Sequence, residues 1–541
     1  MATQISVGRS VVFRAGRVLC LLLSVLCNRA HAAEVAPAFD VTGKNIVELA
    51  SAQAKGRVSS LQLVNAYLAR IARLDQAGPA LHSVLAINPQ ARAQARALDA
   101  ERAAGHVRGP LHGIPLLIKD NIETADPLPT TAGSLALADN RGGRDAPLVA
   151  RLRAAGAVIL GKTNLSEWAN IRSTSSVSGW SAVGGQTHNP YALDRSACGS
   201  SSGSGAAVAA SLAAAAIGTE TDGSITCPAS MNGVVGIKPT VGLVSRTFVV
   251  PISHSQDTPG PIAHTVGDVA LLLGIIAGAD PLDPATRAAE SHRPDASAVN
   301  LSLSLAGVRV GVMPAPNALP GVQALLASAV RRLTAAGAII VDVAAPADGD
   351  KLGDFELMVM LSELKSDLNA YLASTPAAVT TRTLADVIAF NHAHAAREMP
   401  LFGQELFDRA QATAGLQDAA YVQALESSRR IAGRDGLDTI FAAHQLQTLI
   451  AYTEGPAMPI DPVNGDAING SGPGNLPAIA GYPHLTLPMG LVKGLPVGLS
   501  VIGPAWSDAT VLSIGAACER VLGPIGPPRF ARTTAQLLAD R

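Results

Sequence analysis

The stretch Cys198-Gly199-Ser200-Ser201-Ser202-Gly203-Ser204-Gly205 leads without a break into Ala206–Ile217, and Gly218-Thr219-Glu220-Thr221-Asp222-Gly223-Ser224-Ile225 follows. A flexible Gly/Ser linker is normally flanked by polar sequence. This one opens an apolar run, read as a helix, that has to be buried. A helix starting in a loop of small residues presents bare N–H groups, hydroxyls and room for close approach. No Lys-Ser/Thr pair follows the glycines, so a phosphate cradle is disfavoured. The second loop is tight and polar, set between two apolar segments. It can aim several backbone N–H groups at one point beside a serine hydroxyl, the layout of a nucleophile with an oxyanion hole. Taken alone, it also fits an ordinary polar turn.

Outward from this stretch, strand-like and helix-like segments alternate. Apolar residues from Ser59 to Leu74 recur at helical spacing, and Ser59 with Gln62 reads as a capping box. Gly113–Ile118 reads as a buried strand ending at Lys119-Asp120-Asn121. A helix over Ala146–Ala155 and a strand over Ala157–Leu160, closed by Gly161, follow. The same unit recurs as helix Gly321–Ala335 and strand Ala338–Val343. Further strands are expected at Val308–Val312, Leu449–Tyr452, His484–Leu487 and Val497–Val501. Alternation of this kind is the pattern of an α/β fold. Pro/Gly clusters at 281–295 and 455–476 read as surface loops, not linkers, so one large α/β domain is expected.

Composition agrees. The 541 residues are 48% hydrophobic and 15% charged, enough for a large core and unlike a disordered chain. A formal charge of −1 and 3% aromatics give no basic surface and few stacking rings, which argues against a nucleic-acid partner. Mean hydropathy is +0.27, but it reflects alanine spread along the chain. No stretch after the N-terminus approaches the roughly 20 apolar residues of a spanning helix.

At the N-terminus, Arg9, Arg14 and Arg17 precede the apolar run Val18–Cys27, and Ala30-His31-Ala32 offers small residues at a cleavage site. This three-part pattern predicts a signal peptide over 1–32, cleaved after Ala32, and export to a bacterial periplasm, with 33–541 as the mature domain. Loss of Arg9, Arg14, Arg17 and Arg29 with no acid takes the formal charge from −1 to −5. Cys198, Cys227 and Cys518 remain, with no C-x-x-C, so a zinc or redox site is disfavoured. Buried free thiols are the default expectation. A Cys198–Cys227 disulfide is the alternative if the two serine loops touch.

Taken together, several segments resemble the amidase signature enzymes. They are Gly109–Asn121 (GPLHGIPLLIKDN), Gly161–Asn170 (GKTNLSEWAN), Gly185–Tyr191 (GQTHNPY), Cys198–Ala210 (CGSSSGSGAAVAA) and Ile217–Ile225 (IGTETDGSI). Asn232–Arg246 (NGVVGIKPTVGLVSR), Pro251–Pro261 (PISHSQDTPGP) and Ala480–Gly490 (AGYPHLTLPMG) extend the resemblance over about 45–525. The variant Asp222-Gly223-Ser224-Ile225-Thr226, where the wider family has Gly-Gly before the serine and Arg after the Ile, is similar to the bacterial peptide amidases within that family. The resemblance implies a single domain with a central mixed β-sheet covered by helices on both faces. It also implies a cis Gly199–Ser200 bond and a triad of Lys119, Ser200 and Ser224, with an oxyanion hole at the N–H groups of Thr221, Asp222, Gly223 and Ser224. Thr174 and Ser176 fall where the family lines its acyl pocket, and the Asp222 side chain is a candidate for recognising substrate peptide groups. No metal or organic cofactor is implied.

The chemistry is coherent. A serine hydroxyl needs a partner to take its proton. A free lysine, with a pKa of ~10.4, serves only if neutral, and burial at a strand end tunes lysines to about 7–8. The expected reaction is hydrolysis of carboxamides through an acyl-enzyme, with the C-terminal amide of peptides as substrate. Acyl or aryl amides are the alternative. Less favoured are a non-catalytic binding protein and a transamidation subunit. Other candidates read as structural. Ser201 sits in a G-x-S-x-G match that lacks the preceding strand of a nucleophile elbow. His112, His188, His254 and His264 are lone histidines. His392, His394 and Glu398 read as a solvated helix face, because i and i+2 point apart.

Overall fold

The computed structural model describes residues 39–294, 298–468 and 470–539, together with residue 4. The chain divides into two units, Met1–Asp40 and Val41–Arg541. The expected signal segment, 1–32, lies outside the described residues apart from residue 4.

Eleven strands of the second unit form one mixed sheet. They are β1 (Val84–Ile87), β2 (Pro115–Lys119), β3 (Val158–Thr163), β4 (Ala215–Glu220), β5 (Val235–Lys238) and β6 (Thr258–Ala263). The rest are β7 (Arg309–Val312), β8 (Ile339–Asp342), β9 (Thr448–Tyr452), β10 (His484–Val492) and β11 (Leu495–Ile502). Their spatial order is β1-β3-β2-β4-β6-β5-β10-β11-β9-β7-β8. β3, β2 and β4 are parallel, as are β9, β7 and β8, and antiparallel pairs join the two blocks. Central strands such as β2 and β11 are buried at every residue, because helices cover both faces and leave no face for polar side chains. The edge strands β1 and β8 are only partly buried.

Most boundaries follow the sequence reading. Ser59 and Gln62 do form a capping box on the helix Ser60–Arg70, which passes into a π-helical turn over Ile71–Asp75. β3 runs on through Gly161 to Thr163 instead of stopping. A Cβ at Gly161 would lie 2.2 Å from the Ala86 carbonyl of β1, so this glycine admits a neighbouring strand and does not close its own. The alanine run is not one helix either. The helix Ser202–Ala209 ends, Ser211 takes a left-handed φ of 55°, and β4 begins at Ala215. A uniformly apolar run carries no periodicity, so nothing in it marks where a buried helix gives way to a buried strand. Residues 281–295 hold the 3₁₀ helix Pro284–His292, and 455–476 ends in the helix Asn475–Ala480.

Two short helices of small residues sit against the middle of the sheet: Ser202–Ala209 over β2, β3 and β4, and Thr226–Asn232 over β5, β10 and β11. Both are wholly buried. Tight packing explains the composition: a Cβ at Gly203 would lie 2.3 Å from the Ser83 carbonyl. The helix Leu352–Ala373, with Leu384–Ala393, Glu405–Gln411 and Ala419–Arg429, forms an additional helical layer. It packs Leu361, Leu364, Leu368 and Phe407 onto Trp168 and Ile252. Among the described residues, no helix is long and apolar enough to cross a membrane.

Candidate active site

β2 and β4 are parallel neighbours, so their last residues, Lys119 and Glu220, emerge on the same edge. In open α/β sheets, carboxyl ends of strands are where sites form. The Lys119 side chain is fully buried. Its Nζ lies 2.8 Å from Ser200 Oγ, 2.8 Å from Thr219 Oγ1 and 3.2 Å from the Thr219 carbonyl. Burial pulls the amine down from 10.5 to about 7, against the attraction of Glu220 and Asp257. Near neutrality the nitrogen therefore has a lone pair to offer. Asn121 Nδ2 donates to the same Thr219 hydroxyl, at 2.9 Å, and orients it.

Ser200 is fully buried and follows a cis Gly199–Ser200 bond. The two serine loops meet: the Ser201 N–H donates to the Ser224 carbonyl at 3.0 Å. Among the described residues, no hydrogen bond joins the Ser200 and Ser224 hydroxyls directly. A Cys198–Cys227 disulfide, with Cα atoms 6.0 Å apart, ties the loops together two residues before Ser200 and three after Ser224. This corrects the expectation of free thiols, because contact between the loops brings the two cysteines within bonding reach. Cys518 stays free and buried.

The 221–224 loop is held from behind. Glu220 accepts from the N–H groups of Ile225 (2.7 Å) and Thr226 (2.9 Å), occupying the donors that open the helix Thr226–Asn232. Thr221 Oγ1 donates to Asp257 at 2.6 Å, and Asp257 also accepts from the N–H groups of Ile252 and Ser253. The N–H groups of Thr221, Asp222, Gly223 and Ser224 find no acceptor among the described residues. With Gly223 at φ 74°, four donors remain unspent in one loop beside Ser224. Sequence reading missed Glu220 and Asp257 as anchors, because their partners are backbone N–H groups whose positions only the folded loops define.

A cavity of about 540 Å³ opens onto Ser224. Asn170, Ser178, Asp222, Gly223, Glu356, Glu454 and His484 are among its lining residues. Thr174 and Ser176 are not among them. Thr174 is exposed and tied through N–H and Oγ1 to Glu405, and Ser176 Oγ donates to the Ser173 carbonyl at 2.8 Å. The segment does reach the cavity, but two residues later, at Ser178. Ser201 Oγ donates to the Thr219 carbonyl at 3.1 Å and accepts its N–H at 3.2 Å, a structural role.

None of His112, His188, His254 and His264 lines this cavity. His394 stacks on Phe390, and His392 is exposed. Glu398 departs from the solvated face: it is fully buried and accepts from Leu135 N–H and Ser134 Oγ. His484, unnoticed in the sequence, is buried on the cavity wall, with Nε2 2.6 Å from Ser500 Oγ.

Comparison with known proteins identifies the family. The amidase family pattern matches residues 62–512. The native peptide amidase from Stenotrophomonas maltophilia superposes with a TM-score of 0.85 at 49% identity, covering 90% of this chain and 99% of that one. A probable amidase of Arabidopsis thaliana is 39% identical over 504 residues, 91% of this chain and 92% of its own length. A glutamyl-tRNA(Gln) amidotransferase subunit from Salinispora tropica is 38% identical over 512 residues, 90% of this chain and 99% of its own. A buried lysine on a serine, a second serine beside unspent N–H donors, and a match over most of the chain lead to one conclusion: this chain belongs to the amidase family and is a hydrolase of C–N amide bonds.

Proposed function

We propose that the protein hydrolyses the C-terminal amide of peptides, releasing ammonia, with Lys119, Ser200 and Ser224 as its triad. The observation that carries this reading is the buried Lys119 amine, brought to about 7 and seated 2.8 Å from Ser200 Oγ. Neutral Lys119 takes the Ser200 proton as Ser200 takes that of Ser224, and Ser224 Oγ bonds to the amide carbon. The carbonyl oxygen becomes an oxyanion facing the N–H groups of the 221–224 loop; one such donor is typically worth about 10²–10³ in rate. The C–N bond then breaks, the proton returns through Ser200 to the nitrogen, and ammonia leaves. Water repeats the sequence on the Ser224 ester and frees the acid. Lys119, Ser200 and Ser224 supply every proton transfer in this scheme, with no cofactor.

The cavity's size and polar lining suit a short peptide, and likeness to the Stenotrophomonas peptide amidase supports that substrate over acyl or aryl amides. Ammonia release from an amidated dipeptide, lost in Ser224→Ala and in Lys119→Ala, is the expected result. Release from a simple acyl amide but not from the dipeptide refutes the peptide reading and keeps the triad. The pattern of residues 9–32 supports export with cleavage after Ala32; N-terminal sequencing of protein recovered from the producing cell should begin at Ala33.

A further inference from the structure

The charged side chains lining the cavity are of one sign. Asp222 comes from the 221–224 loop, Glu356 from the helix Leu352–Ala373, and Glu454 and Asp466 from two points of the 453–474 segment. Among the described residues, no lysine or arginine faces them across the space. Asp466 is engaged by the Ser178 N–H, at 3.0 and 3.1 Å to its two oxygens, and Glu356 Oε1 accepts from Gln256 Nε2 at 2.7 Å. Asp222 is exposed at the cavity mouth, and the buried Glu454 Oε2 has no partner among the described residues. One further acceptor on the same wall is unmatched, Oδ1 of Asn170, and Nδ1 of fully buried His484 has no partner either. Beside the N–H donors of the 221–224 loop, the cavity thus holds unmatched acceptors at Glu454 Oε2 and Asn170 Oδ1.

Leaving buried acceptors unpaired costs free energy, and gathering like charges adds to it. The strain shows in the groups themselves. Burial and neighbouring carboxylates hold Glu454 up at about 8 and push Glu356 well above the usual carboxylate range. Lys238, a buried lysine outside the cavity lining, donates to the Pro239 carbonyl at 3.1 Å. A ligand with several N–H donors and a positive charge removes both penalties together.

We propose that this cavity, read as the amidase site above, selects amides whose acyl portion carries a cation, held by Asp222, Glu356 and Glu454. The shared chemistry is an ammonium or guanidinium, from the N-terminus or a basic side chain of the peptide.

The test is calorimetric binding to Ser224→Ala protein of three peptides: N-acetyl-Ala-Ala amide, Ala-Ala amide, and N-acetyl-Lys-Ala amide. At low ionic strength the expected result is at least tenfold tighter binding of a cationic peptide than of the neutral one, with protons released to the buffer. The gap should shrink in salt. Comparison of the two cationic peptides tells which source of charge is read. Glu454→Gln or Glu356→Gln in the same background should cut the ratio of cationic to neutral affinity threefold or more, which a merely structural role, weakening both peptides alike, does not produce. Equal affinity for all three, or binding of none, overturns the proposal. Ammonia release by the unmutated protein from the neutral peptide reads the amidase function separately: release with equal affinities sinks only the charge preference, and tight cationic binding without release sinks only the catalytic reading.

Discussion

Replacing Lys119 by methionine separates what the lysine does for chemistry from what it costs the fold. The amine is fully buried and moved from 10.5 to about 7. In the unfolded chain it keeps its proton, so at pH 7 folding works against a gap of about 3.5 units. At about 1.36 kcal/mol per unit, that is about 5 kcal/mol. At pH 9 the gap is about 1.5 units, or about 2 kcal/mol. Wild-type stability should therefore rise with pH from 7 toward 10, because the unfolded state is the one that binds the extra proton. Methionine fills similar space with no charge. It forfeits the contacts to Ser200 Oγ and to the Thr219 hydroxyl and carbonyl, at about 1 kcal/mol each. The net expectation is a variant without amidase activity that is about 2 kcal/mol more stable than wild type at pH 7, with the advantage gone by pH 9. Denaturant midpoints at the two pH values, beside ammonia release, measure this. A Lys119→Met protein less stable at pH 7, or a stability difference that does not change with pH, refutes the account of a lysine held neutral by burial.

The same amine sets the pH profile: kcat/KM on a neutral peptide amide should fall about tenfold per pH unit below about 7 and level off above it, as a base needed in its neutral form demands. Glu220→Gln removes the carboxylate that accepts from Ile225 and Thr226 N–H; the 221–224 donors should lose their aim and kcat drop about 10²-fold with little change in KM, and an unchanged kcat refutes the anchoring role. Opening the Cys198–Cys227 link, by reductant or by the double alanine variant, frees a loop of sequence separation 29 and should lower stability by about 3–4 kcal/mol, read as a denaturant midpoint. Gly203→Ala drives a methyl to 2.3 Å from the Ser83 carbonyl and should cost about 1–3 kcal/mol, whereas a neutral effect shows that the helix Ser202–Ala209 can shift.

The site was legible where chemistry is written locally. Lys119 at the end of an apolar strand, and serines in two small-residue loops, are patterns of neighbours in sequence, and the structure sets Lys119 on Ser200. Glu220 lay in plain view inside the 218–225 loop, but its grip on Ile225 and Thr226 depends on a helix starting at Thr226, which no local pattern marked. Thr174 and Ser176 do not line the cavity: Thr174 is tied to Glu405 and Ser176 to the Ser173 carbonyl, and the chain returns to the cavity at Ser178. The alanine run concealed a helix and a strand, because residues buried on every side show neither period 3.6 nor period 2.

By itself, the sequence determined the alternation of apolar segments that makes an α/β sheet, and the loops that carry the lysine, the two serines and the unspent donors. Tertiary structure alone decided that Cys198 meets Cys227, that Lys119 is seated between Ser200 and Thr219, and that Asp222, Glu356, Glu454 and Asp466 face one cavity across more than two hundred residues of chain. The reason is range. Hydrogen bonding and hydrophobic period act between neighbours and leave a mark in sequence. Desolvation and charge repulsion depend on what the whole fold packs around a group, and no local pattern records that.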